Sequence, residues 1–175
     1  MRNALLTIMA AAFGVSAFSA QNVENAPTQI TTVHLGDMRA RYLNFKWDEN
    51  AFAAIEKGDA KRSWAIARLF PDKPIVWNGK QISGGNLLIL HPASGSTPMT
   101  FEVRVIDMRE VWVDANVIAE PPEGRTVYTA PAQFEKVSDV AERLTLALSE
   151  SGGKVEVAIH YGNRQAKLQF DRQSP

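Results

Sequence analysis

Glu102, Arg104, Trp112 and Asp114 stand in the stretch TFEVRVIDMREVWVDANVI, residues 100–118, and their spacing suggests chemistry. If Asp107-Met108-Arg109 is a three-residue loop, an antiparallel ladder sets Val105 opposite Val111, Val103 opposite Val113 and Phe101 opposite Ala115, an apolar face. The other face then pairs Arg104 with Trp112 and Glu102 with Asp114, extends to Asn116 and lies beside Glu110. A flat aromatic ring edged by hydrogen-bonding groups is what a sugar or an aromatic ligand needs. Trp112, Arg104, Glu102, Asp114, Asn116 and Glu110 are therefore the expected ligand-binding set. The plainer reading stacks Trp112 under Arg104, a cation–π pair worth ~0.5–1 kcal/mol when exposed. Facing carboxylates ~5 Å apart also match a retaining glycosidase pair. Two acids on an open sheet face, however, lack the desolvated cleft that raises a carboxyl pKa, so no catalytic residue is assigned.

The remaining chemistry-bearing residues are scattered. His34, His91 and His160 have no short ligand spacing, no HExxH and no cysteine beside them, so neither a metal nor a cofactor is expected. His91 precedes Pro92, and Ser94 and Ser96 follow in a loop, but no GxSxG surrounds either serine. Gly84-Gly85 leads into an apolar strand rather than a helix, which removes a phosphate-binding loop. The segment EPPEGR, residues 120–125, is stiffened by proline and reads as a binding lip or a plain connection.

Elements that could position these side chains are mostly strands. Residues 29–35 and 39–47 alternate, the second with Leu43, Phe45 and Trp47 on one side, and 63–70 alternates again. One helix is expected near residues 48–57. Asp48 can cap it, Ala51, Phe52 and Ile55 share a face, Lys57 suits its last turn and Gly58 ends it. Asn78-Gly79 is a strong hairpin signal, since both residues tolerate the positive φ of a type I′ turn; it pairs Trp77 with Lys80 and Ile75 with Ile82. Ser83-Gly84-Gly85 then bends the chain into the apolar run 87–90, closed by Pro92.

Near the C-terminus, a four-residue loop at 150–153 sets Leu148 opposite Val155, Leu146 opposite Val157 and Leu144 opposite Ile159. A two-residue turn at Gly162-Asn163 then sets Ile159 opposite Ala166, Val157 opposite Leu168 and Val155 opposite Phe170. The other face carries Thr145, Glu156, His160, Gln165, Lys167 and Gln169, as on a solvated sheet. A helix through Val137, Val140, Leu144 and Leu148 competes with the first of these strands, leaving 138–142 open to a helical turn.

The first twenty residues, MRNALLTIMAAAFGVSAFSA, place one cation ahead of an apolar run that ends in small residues, the layout of a cleaved signal peptide. A membrane anchor needs ~20 apolar residues, and this run is shorter. Removing residues 1–20 takes Arg2 from the 19 Lys+Arg, leaving 18 cations against 19 acids, a net charge of −1. That balance favours neither nucleic acid nor an anionic membrane. With 0 cysteines, an exported chain must be held by its core rather than by disulfides.

The run NGKQISGGNLLILHP, residues 78–92, resembles the GKxLpaGxYxLfxiP segment of a family of exported bacterial domains of unknown function, number twenty-nine eleven in its naming series. The ending RLTLALSESGGKVEVAIHYGNRQAKLQF, residues 143–170, is similar to that family's closing strands, and the positions that carry the likeness are Gly79, Lys80, Gly85, Pro92 and Gly162. The resemblance implies a bacterial, exported β-sandwich with no established activity and no catalytic residues.

The sequence thus predicts a leader at 1–20 and a single all-β, antiparallel, jelly-roll-like sandwich at 21–175 with one short helix. Its expected function is non-catalytic binding outside the cytoplasm, with a glycan or cell-envelope polymer as ligand. The alternatives are an assembly protein that binds another protein through a sheet edge, and a hydrolase using Glu102 and Asp114.

Overall fold

The computed structural model describes residues 28–106, 111 and 121–173. Among them lie one helix, α1 (Glu49–Lys57), and two antiparallel sheets that share one hydrophobic core, an all-β sandwich. The helix forms where its local signals put it. The Asp48 carboxylate accepts from the Ala51 amide at 3.0 Å, a cap worth about 1 kcal/mol, and Gly58 ends the last turn in the left-handed region. Phe52 and Ile55 are its buried residues, as one apolar face at helical spacing requires.

The larger sheet runs in the order β1 (Ile30–Leu35), β2 (Met38–Leu43), β3 (Trp64–Phe70), β6 (Asn86–His91), β7 (Thr100–Val105) and β8 (Arg125–Pro131). The smaller runs β5 (Lys80–Ile82), β4 (Ile75–Trp77), β10 (Lys154–Arg172) and β9 (Glu135–Ser151). The chain crosses to the second sheet for the β4–β5 hairpin and returns for β6. That hairpin has the expected register, Trp77 opposite Lys80 and Ile75 opposite Ile82, with φ of 46° at Asn78 and 77° at Gly79. Between the sheets, the Tyr161 ring meets Phe45, Trp47 and Trp64 edge-on. Its hydroxyl donates to the Lys46 carbonyl at 2.8 Å and accepts from the Asp48 amide at 3.1 Å, tying β10 to the start of α1. Burial pushes this phenol well above the ordinary tyrosine range.

Four expectations are corrected. The second strand stops at Leu43 instead of Trp47, and residues 45–47 bond to β9 of the other sheet, through the Lys46–Arg143 bridge and the Trp47–Glu142 and Leu144–Phe45 backbone bonds. The β9–β10 turn is the two-residue Gly152-Gly153, so Leu148 faces Val157 and Leu146 faces Ile159, a slip of two from the four-residue-loop register. A slip of two keeps every side chain on its own face, so the apolar pattern cannot detect it; the turn decides. Residues 138–142 are strand, because pairing with β10 overrides the helical period.

Gly162 is not a hairpin turn either. β10 runs straight through it, with register breaks on both sides of the Gly162–Ala141 pair. Val155, Val157, Ile159 and Tyr161 are buried before the bulge, and Ala166, Leu168 and Phe170 after it. The parity of the apolar positions flips there, and the flip keeps one face of the strand on the core.

Candidate functional site

The register of β7 decides where the predicted cluster goes. Both edges of β7 are occupied: Val103 lies opposite Leu88 of β6 and Tyr128 of β8, and Phe101 opposite Leu90 and Ala130. The expected hairpin with residues 111–115 is therefore overturned, and with it the facing of Arg104 by Trp112 and of Glu102 by Asp114. A ladder strand has two edges, and here neighbours distant in sequence hold both. Trp112, Glu110, Asp114 and Asn116 lie outside the described residues. Glu102 and Arg104 are described, and they come together with residues that the hairpin reading did not include.

Strand alternation aims Phe101 and Val103 into the core and Glu102 and Arg104 to the opposite face of the larger sheet. Ile89 of β6 is opposite Glu102, so His91, two residues along, is its diagonal neighbour. Trp64 is opposite Leu90, which brings Ser63, just before β3, to the level of His91. On the other side Thr126 of β8 is opposite Arg104.

These four strands deliver a continuous hydrogen-bonded row. Ser63 Oγ is 2.7 Å from His91 Nδ1, and His91 Nε2 is 2.6 Å from Glu102 Oε2. Arg104 grips the same carboxylate in a fork, Nε to Oε1 at 2.7 Å and Nη2 to Oε2 at 2.8 Å, and Thr126 donates to Oε1 at 2.6 Å. The third reach of the guanidinium is Nη1 to the Pro122 carbonyl at 2.9 Å, so the proline-stiffened segment is fastened over the site. Pro121 borders the site too.

Burial alone would raise the Glu102 pKa, since its side chain is only 5% exposed, but donation from Arg104, Thr126 and His91 overcomes it and holds the carboxyl down at about 2. Glu102 is thus a fixed anion above acidic pH and acts as an acceptor. Because a carboxylate can only accept, the proton on the imidazole belongs at Nε2. In the neutral ring Nδ1 then carries the lone pair, to which the Ser63 hydroxyl can donate. The row therefore has a direction: proton density runs from Ser63 toward His91, with Glu102 behind.

Ser63 and His91 are not buried beneath the surface. They line an open depression of about 220 Å³ together with Lys61, Arg62, Arg104 and Pro121. Arg104 matches Glu102, and the exposed Lys61 adds positive charge to the lining. A larger groove of about 340 Å³ between β2 and β9 is lined by Thr31, Tyr42, Asn44 and residues 141–145, but it holds no comparable row of coupled side chains among the described residues.

Reading the sequence noted His91 with Ser94 and Ser96 in the loop after it and assigned none of them a role; Ser94 bridges Thr97 across a tight turn. The partner, Ser63, is 28 residues away in the chain. The signal available was strand geometry: antiparallel neighbours of similar length set the start of one, Ser63-Trp64, against the end of the other, His91-Pro92. Among the described residues no cluster of His, Asp and Glu is placed to hold a metal ion, and no helix is long and apolar enough to cross a membrane. No family model matches the sequence, and neither a curated protein nor a solved structure matches it.

Proposed function

We propose that this chain is an exported binding module and that its ligand, an acidic glycan or cell-envelope polymer, lies in the depression around Ser63 and His91. One observation carries the reading: a concave surface whose hydroxyl and imidazole are locked in place by a buried carboxylate, with cations on its lining. Fixed donors cost little ordering entropy on binding, and an excess of positive charge draws a polyanion and sets its register. The leader-like residues 1–20 support a periplasmic or secreted location.

A second reading, assembly with another protein through a sheet edge, is favoured by β9. This edge strand of 17 residues carries Val140, whose side chain is 55% exposed.

Oligogalacturonate, with neutral dextran oligomers as the control, tests the first. Calorimetric titration should show binding of the acidic oligomer alone, weakening as salt rises because exposed charges are screened. Lys61→Glu reverses a charge on the lining and should lower the affinity by roughly tenfold, at no cost to folding, since Lys61 is exposed. Equal binding of the neutral and acidic oligomers would contradict the proposed electrostatic basis.

A further inference from the structure

The row from Ser63 through His91 to Glu102 does more than fix a hydroxyl. We propose that Ser63 is a nucleophile and that the depression hydrolyses carboxylic esters, such as O-acyl groups carried on an acidic glycan; the substrate class rests on the binding reading above.

Three features carry this. Ser63 Oγ lies 2.7 Å from His91 Nδ1, so in the neutral ring the atom that must lose a proton already faces its acceptor. The opposite ring nitrogen meets an ionised carboxylate at 2.6 Å, which fixes the tautomer and stabilises the imidazolium that forms. That carboxylate is itself immobilised by Arg104 and Thr126, so Glu102 serves as a positioning residue with no freedom to swing away. The constellation is assembled from the residue just before β3 and from β6, β7 and β8, neighbouring strands of one sheet, and Ser63 opens onto the depression. A role confined to holding the sheet together would not require the hydroxyl end of the row to line an open surface.

The step balances as follows. Ser63 Oγ bonds to the ester carbonyl carbon as its proton passes to His91 Nδ1. The tetrahedral intermediate then breaks the bond to the alcohol oxygen, which leaves with the proton from His91. Water attacks the acyl-serine, gives a proton to His91 and releases the carboxylic acid, returning that proton to Ser63. The net reaction is ester plus water to acid plus alcohol. Lys61 lies on the same lining, and positive charge there would favour the developing oxyanion.

A fluorophosphonate probe, which bonds covalently to activated serines, is the test, read by intact mass and peptide mapping. The folded wild-type protein should take up one probe on Ser63, and Ser63→Ala should take up none. His91→Gln and Glu102→Gln, checked for folding by circular dichroism, should react roughly 100-fold more slowly. Hydrolysis of p-nitrophenyl acetate by wild type should fall in the same order. Folded wild type that stays unlabelled overturns the inference, as does labelling that persists in Ser63→Ala. Oligogalacturonate binding measured on the same samples separates the two readings: binding without labelling removes the esterase and keeps the binding module. Labelling of Ser63 without such binding does the reverse.

Discussion

Glu102→Ala is expected to cost about 3 kcal/mol of folding stability at pH 7, because it leaves the Arg104 fork, the Thr126 hydroxyl and the His91 ring without their common acceptor. The loss falls at the low end for a broken buried ion pair, since Arg104 and His91 are 18% and 28% exposed and water can reach part of each. The same interaction gives the wild type a pH dependence of known sign. The folded carboxyl titrates at about 2, below its ordinary value of 4.5, so its stabilisation is complete above about pH 4.5 and disappears as pH falls toward 2. Urea unfolding at pH 7 and at steps down to pH 2 should therefore show wild type and Glu102→Ala converging in acid. Parallel curves, with the gap unchanged at low pH, would mean that the carboxylate charge contributes nothing.

Gly162→Ala should be comparably damaging, about 3 kcal/mol, for a reason unrelated to the site. Gly162 has a φ of 60°, and a Cβ there would collide with the Trp47 ring. An alanine pays roughly 1 kcal/mol for the left-handed backbone and adds the strain of an overpacked core, roughly 1–3 kcal/mol. Trp47 has little room to yield, since Phe52 and Tyr161 pack against it with ring centroids at 5.6 and 4.6 Å. The check is thermal unfolding with the near-ultraviolet tryptophan signal: Tm should drop and the aromatic spectrum change. An unchanged Tm would mean that the bulge is not where β10 bends around Trp47.

Gly162 also shows why parts of the fold were legible in the sequence and others were not. Signals that act within a few residues, the Asp48 and Gly58 caps and the Asn78-Gly79 turn, determine their elements almost alone, and these emerge as read. A phase flip in an apolar pattern, by contrast, has two meanings: a turn reverses the strand, a bulge continues it. Nothing in GNRQAKLQF distinguishes them without the Trp47 ring on which the bulge sits. The strand at residues 100–105 posed the same difficulty in another form. Alternation correctly separates Phe101 and Val103 from Glu102 and Arg104, but it names a face and not a neighbour. The nearest complementary run downstream was a reasonable partner; β6, closed at Pro92, and β8, beginning at Arg125, are the actual ones.

Two residues of the described row were visible for the same reason. Glu102 and Arg104 stood out as polar residues on an otherwise apolar strand. Ser63, His91 and Thr126 did not, because Ser63 lies just before β3, His91 on β6 and Thr126 on β8, and each acquires meaning only from sheet order. The structure replaces a two-strand cluster with a row built across four strands, and the chemistry changes with it: from a carboxylate pair to one buried acceptor aligning an imidazole and a serine.

Nuclear magnetic resonance mapping tests that relocation most directly. Titrating oligogalacturonate into isotopically labelled protein should move the signals of Lys61, Arg62, Ser63 and His91, together with those of the 121–125 segment, and leave the β2–β9 groove at residues 141–145 unchanged. Shifts concentrated in that groove or along β9, with the Ser63 and His91 signals still, would contradict the assignment of the site.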